Sequence, residues 1–218
     1  MKSYPVISNR KIRLAIVGCG RISKNHFESI EKHKKDIELV SICDDNQSVL
    51  TIHEKKYNIK GYLDLVSMIE NVDLDMVVLC TPSGLHAEQT VMCSKKSINI
   101  MTEKPMATRW NDGLRMVKAC DQAGVRLFVV KQNRNNPTIK LLQRAIKENR
   151  FGKIHMVHLN VFWSRPQSYY DQATWRGTWE FDGGALMNQA SHYIDLMDWL
   201  IGPIDKVQAM ISTTRDIE

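Results

Sequence analysis

Through the first 130 positions, short apolar runs alternate with longer stretches in which apolar residues recur at helical spacing. Ile12 to Val17 is a compact apolar run closed by glycines, the pattern of a buried strand. Ile22 to Lys34 then reads as a helix, Ile37 to Cys43 as a second strand ending at Asp44, and Asn46 to Tyr57 as a polar helix. Leu63 to Glu70 predicts a short helix carrying Leu65, Val66 and Ile69 on its apolar side. Asp75 to Cys80 is a strand stopped by Thr81-Pro82, Leu85 to Lys95 a helix, and Ile98 to Met101 another short strand. Thr108 to Ala123 is helical, with Gly124 where a C-cap needs it, and Arg126 to Val130 is again a strand. Strand–helix units repeated at this length predict an α/β fold, a Rossmann-type doubly wound parallel sheet with helices on both faces.

The rhythm changes near residue 131, which sets a boundary between residues 1–131 and 132–218. Pro137 opens a helix through Lys147, and Ile154 to Trp163 alternates like a long strand. A loop rich in Trp, Tyr and Arg runs from Ser164 to Asp182. One helix is predicted from Ala185 to Ile201, stopped by Gly202-Pro203, and Val207 to Ser212 starts one more strand. Two strands cannot bury their own face, so the second part reads as the beginning of a domain in a truncated chain.

Composition is that of an ordinary globular protein, 43% hydrophobic and 25% charged. Apolar runs such as Met76 to Cys80 are too short to span a bilayer, and Met1 to Arg10 lacks the apolar segment of a signal peptide. The five cysteines (Cys19, Cys43, Cys80, Cys93, Cys120) show no CxxC pair and no regular spacing. They read as reduced thiols in a cytoplasmic protein, with no zinc site. The net charge of +6 comes from scattered basic residues, the densest being Lys32 to Lys35 at a helix end. That distribution implies no nucleic-acid partner, although a positive field would suit an anionic small substrate.

Four segments carry candidate chemistry. Gly18-Cys19-Gly20-Arg21-Ile22-Ser23 joins a strand to a helix. Gly18 allows the tight turn, Gly20 lets backbone approach a pyrophosphate, and the N–H groups at Arg21 and Ile22 open the positive end of the helix to phosphates. Asp44, 24 residues after Gly20 at the end of the next strand, suits the ribose hydroxyls and repels a 2′-phosphate, which favours NAD over NADP. Thr81-Pro82-Ser83 and His86 follow the Asp75 to Cys80 strand at the sheet edge where ligands bind, with Ser83 also a candidate N-cap. Glu103-Lys104-Pro105 follows the Ile98 to Met101 strand, and Pro105 biases Lys104 toward an extended backbone. Last, Gly183-Gly184 precede Asn188, His192 and Asp195, spaced i, i+4 and i+7 as one polar stripe on an apolar helix. The two glycines would let backbone come close to a ligand. A lone histidine there reads as a core residue, whereas a polar stripe of three is costly to bury without purpose.

These four segments, in this order, resemble the glucose–fructose oxidoreductase, inositol dehydrogenase and MocA family over essentially the whole chain. The resemblance implies a Rossmann domain followed by an α+β domain with a mainly antiparallel open sheet, of which only the start is present. Lys131-Gln132-Asn133-Arg134, Trp175-Arg176-Gly177-Thr178-Trp179 and Gly184 to Tyr193 are further similar to the branch that acts as UDP-N-acetylglucosaminuronate 3-dehydrogenase in surface-polysaccharide (lipopolysaccharide O-antigen) synthesis. Many family members carry aspartate where this chain has Asn188, and that branch shares the asparagine. The implied chemistry is oxidation of a sugar C3 hydroxyl, with NAD as cofactor, His192 as base, Lys104 assisting and Asn188 orienting the hydroxyl. Gln132 and Glu103 join the implied cofactor contacts, and Arg165, Tyr169 and Arg176 the substrate contacts, an arginine fork suiting a carboxylate or diphosphate. A keto-acid acceptor for cofactor reoxidation and a homo-oligomer, dimer or tetramer, are also implied. The alternatives are a family dehydrogenase acting on another sugar or polyol such as inositol, a non-catalytic NAD-binding regulator, and an inactive fragment.

Overall fold

The structure, a computed structural model, describes residues 4 and 6–212. The chain divides into two compact units, Met1–Val130 and Lys131–Glu218.

Six strands form the centre of the first unit: β1 (Ile12–Val17), β2 (Ile37–Cys43), β3 (Lys60–Tyr62), β4 (Met76–Leu79), β5 (Asn99–Thr102) and β6 (Leu127–Val129). All pair in parallel, in the order β3-β2-β1-β4-β5-β6. The order reverses between β1 and β4, so the carboxyl ends of those strands open the crevice where doubly wound sheets take ligands. Five helices connect the strands: α1 (Ser23–Lys32), α2 (Gln47–Tyr57), α3 (Leu65–Asn71), α4 (His86–Lys95) and α5 (Trp110–Ala123).

Strand periodicity sorts the core into two layers. Ala15 and Val17 of β1 join Leu65 and Met68 of α3, Cys93 of α4 and Cys120 of α5 on one face. Leu14 and Ile16, from the same strand, join Phe27 of α1 and Leu50 of α2 on the other. Both faces are covered, so the buried part of β1, Leu14 to Val17, has no polar alternation and reads as continuously apolar. Burial of each large aliphatic side chain contributes about 1.5–3 kcal/mol. Caps set the helix starts: Asn46 accepts from the Ser48 and Val49 N–H groups at 2.9 and 3.3 Å, and Asp64 from Ser67 at 2.8 Å. The helix predicted from Leu63 therefore begins two residues later. Gly124 takes the left-handed C-cap conformation at φ 68°. The edge strand β3 was not expected, because Lys60-Gly61-Tyr62 is too short and too polar to show a period. All five cysteines are buried free thiols of this unit. Burial pushes Cys19, Cys43 and Cys93 up to about 12 and Cys120 up to about 11, and raises Cys80 as well.

The second unit, as far as it is described, contains helices α6 (Pro137–Lys147), α7 (Gln167–Tyr170), α8 (Gly184–Asn188) and α9 (Ser191–Ile201). Asn136 caps α6 through the Thr138 N–H at 2.9 Å, with Pro137 as its first residue. Two expectations fail here. Residues 154–163 and 207–212 join no ladder. A strand exists only through a neighbour's N–H and C=O groups, and no described segment of this unit pairs with either. Large apolar side chains of both segments stand exposed, Met156 at 86%, Phe162 at 90% and Met210 at 96%. The single helix predicted over residues 185–201 is also broken at Gln189 and Ala190. There the Ala190 N–H reaches back five residues to the Ala185 carbonyl, and the Tyr193 N–H only three, to Ala190. A wide turn followed by a tight one separates α8 from α9.

Candidate functional site

The glycine turn is built into the switch point. Gly18 has φ +85°, and a Cβ there would lie 2.8 Å from the Cys80 carbonyl carbon and 2.9 Å from the Thr81 nitrogen. The chain itself demands this glycine. Gly20 differs: a Cβ there would meet nothing within 4 Å. Gly20, Arg21 and Ile22 are exposed, no side chain caps α1, and its first turn holds no acidic residue. Space above Gly20 and an uncapped positive helix end fit a dinucleotide pyrophosphate. Asp44 bridges the turn and the next helix, Oδ2 accepting the Cys19 N–H at 2.7 Å and Oδ1 the Asn46 N–H at 2.9 Å. A carboxylate has about four acceptor positions, so two remain for a ribose diol.

A second group surrounds Lys104. Thr81 Oγ1 donates to Gln89 Oε1 at 2.6 Å, and Pro82 leads into a short 3₁₀ turn, Ser83–Leu85. Ser83 is buried and caps no helix, since that turn separates it from α4. His86 is 0% exposed, its ring nitrogens each 3.0 Å from a main-chain carbonyl, Nδ1 from Pro105 and Nε2 from Thr81. Its expected place among the cofactor contacts is therefore corrected: a fully enclosed ring has no surface to offer. Burial pulls its pKa below the ordinary imidazole range, although both carbonyls and Glu103 act the other way. Glu103 Oε1 pairs with His26 Nε2 at 2.8 Å, and Oε2 accepts the Lys104 N–H at 3.2 Å. Sequence reasoning missed His26, whose partner lies 77 residues away.

In the second unit, Gly183 and Gly184 have φ 77° and 79°. What approaches Gly184 is the chain's own Trp179, 2.9 Å from a Cβ placed there, rather than space for a ligand. Asn188 and His192 are buried at 7% and 8% exposure. Asn188 Nδ2 donates to Asp182 Oδ1, and Asp182 Oδ2 accepts the Gly177 N–H at 3.0 Å. Asp182 was also missed, because an acidic residue at a loop end carries no pattern. Asp195 does not continue a catalytic stripe. Its carboxylate takes a two-pronged bond from Arg134, at 2.8 and 2.6 Å, and lies 3.7 Å from Lys131 Nζ. Burial raises its pKa, but Arg134 and Lys131 outweigh that and leave it below the usual carboxylate range. Gln132 is exposed in the 3₁₀ turn Gln132–Asn135. Arg165 and Arg176 flank the Tyr169 ring, 5.4 and 4.5 Å from its centroid. Arg165 donates to Gln189 Oε1 at 3.0 Å, and Arg176 to the Tyr169 carbonyl at 2.7 Å. Among the described residues, no helix is long and apolar enough to cross a membrane.

Residues 12–131 match the GFO/IDH/MocA oxidoreductase family with an NAD-binding Rossmann fold, and residues 139–218 match the GFO/IDH/MocA C-terminal domain. The chain is similar to the WlbA dehydrogenase of Chromobacterium violaceum, crystallised with NADH and UDP-GlcNAcA: 57% identity, TM-score 0.97, covering 100% of this chain and 64% of that one. It is also similar to the WlbA dehydrogenase of Bordetella pertussis, again with NADH and UDP-GlcNAcA: 56% identity, TM-score 0.89, covering 91% and 57%. Among curated relatives, myo-inositol 2-dehydrogenase of Thermotoga maritima is 26% identical over 197 residues, 88% of this chain and 55% of the relative. The chain thus spans less than two thirds of the length of these relatives.

Proposed function

Because the chain belongs to the GFO/IDH/MocA family of oxidoreductases, we propose that it acts as an NAD-dependent dehydrogenase on the C3 hydroxyl of a nucleotide-linked sugar uronate, UDP-N-acetylglucosaminuronate. The observation that carries this reading is the likeness over the whole chain, at 57% identity, to a dehydrogenase crystallised with NADH and UDP-GlcNAcA. The open space at Gly20 and the unused acceptor positions of Asp44 support it from this chain's own residues.

NAD, when bound, supplies the hydride acceptor. His192, as neutral imidazole, takes the proton of the sugar hydroxyl. Lys104 donates a hydrogen bond to that oxygen as negative charge develops on it. Asn188, whose NH₂ is turned to Asp182, orients the hydroxyl through its amide. Arg165, Tyr169 and Arg176 hold the anionic parts of the nucleotide sugar, a role suited to guanidinium forks. The reading includes a keto acid as final acceptor, assembly of like chains, and a place in surface-polysaccharide synthesis.

The test is reduction of NAD by the purified chain with UDP-N-acetylglucosaminuronate, followed by absorbance, with a keto acid added in a parallel reaction and myo-inositol as comparison substrate. Turnover of the nucleotide sugar and none of inositol is the expected result. General-base catalysis is worth about 10²–10⁴-fold, so His192→Asn lowers kcat by about that factor. Near-full turnover in both His192→Asn and Lys104→Ala overturns the assignment.

A further inference from the structure

The backbone at Lys104 is tied on both sides by groups that the proposed reaction does not use. On one side stands Glu103, 7% exposed, with Oε2 on the Lys104 N–H at 3.2 Å and Oε1 on His26 Nε2 at 2.8 Å. A carboxylate only accepts, so Nε2 of His26 carries the hydrogen. On the other side His86, wholly enclosed, stands with its ring nitrogens 3.0 Å from the Pro105 and Thr81 carbonyls, to one of which a neutral ring donates. His26 lies on the first turn of α1, the helix that starts at the glycine turn, while Glu103 directly follows β5. In the sheet order, β1 and β4 precede β5, so the His26–Glu103 bond reaches from the cofactor turn after β1 to the lysine loop after β5.

Both partners are largely withdrawn from water, with side-chain exposures of 14% and 9%. Such a pair is weak evidence for stability, since desolvation offsets most of what it contributes. Its geometry serves alignment instead. It links the helix whose N-terminus faces the dinucleotide to the main chain of the residue that would bond the reacting oxygen. We propose that His26 is a positioning residue for Lys104, acting through Glu103 so that closure of the glycine turn on a dinucleotide sets where the lysine amine stands. This rests on the reading of Lys104 given above.

Two variants of the full chain separate the possibilities. His26→Phe keeps a ring but removes the donor, and His26→Gln keeps an N–H donor. Hydrogen exchange across residues 103–107 is followed with and without NADH, and NADH affinity by its fluorescence. NADH slows exchange of this loop in the unaltered chain and in His26→Gln, but not in His26→Phe. In turnover, His26→Phe loses about tenfold or more in kcat, as small misplacements of a catalytic group do, with little change in KM, and His26→Gln recovers most of it. Should His26→Phe fail to fold, His26→Ala read against His26→Gln carries the same comparison. Equal NADH protection in His26→Phe and the unaltered chain overturns the proposal, as does a kcat loss that His26→Gln does not recover. The exchange measurement needs no turnover. A chain that binds NADH, shows the coupling and leaves the sugar untouched refutes the proposed substrate and not the role of His26.

Discussion

Gly18 and Gly20 stand two residues apart and serve different masters. Gly18→Ala sets a Cβ against the backbone of Cys80 at a positive φ, a strain of about 1–3 kcal/mol or more, so the melting temperature falls. Gly20→Ala meets no protein atom, so the melt is unchanged while NADH titration shows weaker binding. Asp44→Ser removes the carboxylate that accepts the Cys19 N–H and that the proposed reading offers to the ribose. NADH binding weakens by about 1–3 kcal/mol, and the preference over NADPH narrows in parallel titrations. At this scale the sequence was readable where the chain imposes a local pattern, as at the strand–turn–helix step of Gly18, whose positive φ and close contact with the Cys80 backbone demand glycine. It was silent where two residues meet only in the fold. His26 is a lone histidine on an amphipathic helix, and Asp182 a lone acid at a loop end. His86 was misread because nothing in its neighbours tells an enclosed ring from a lining one.

Elements followed the same division between local and distant causes. The starts of α2, α3 and α6 are set by Asn46, Asp64 and Asn136, each satisfying a nearby N–H, although apolar spacing alone put the start of α3 at Leu63. The inner strands of the parallel sheet were legible because both faces are covered and their runs are mostly apolar, whereas the short, polar edge strand β3 was not. Residues 154–163 alternate as strands do, but pairing depends on a partner that alternation cannot supply. The bond from Arg134 to Asp195 joins the turn before α6 to α9. Asp195→Asn should lower the melting temperature at neutral pH. The carboxylate is depressed in the folded chain, so its contribution is fully present above the unfolded value of about 3.9. It is lost as pH falls through the lower folded value. The gap between the two melts therefore closes in acid, and a gap that is constant with pH speaks against the ion pair.

Over the whole molecule, the core is unevenly shared. Nearly all enclosed apolar side chains lie between Leu14 and Val125, and among the described residues of the second unit only Leu196 is buried to the same degree. The doubly wound class and the change of architecture near residue 131 were both visible in the rhythm of apolar runs. How the later segments pack was not, since their alternation describes faces without naming what covers them. A chain of residues 1–130 alone should fold, because it holds its own two-layer core. It should melt cooperatively by circular dichroism and bind NADH within about tenfold of the full chain, since the glycine turn and Asp44 lie inside it. Loss of cooperative melting on excision would mean that the first unit leans on the second.

The five enclosed thiols turn this unevenness into something countable. Alkylation requires the thiolate, and every cysteine here is both shut away and raised well above its free value. A haloacetamide added to the native chain is therefore consumed only when the sheet opens. Cys19 and Cys80 record opening of the layer under α1 and α2, and Cys43, Cys93 and Cys120 the layer under α3 to α5. The last 88 positions contain no sulfhydryl at all. The mass gained by labelling thus clocks the cofactor-binding half alone, whatever the remainder of the chain is doing.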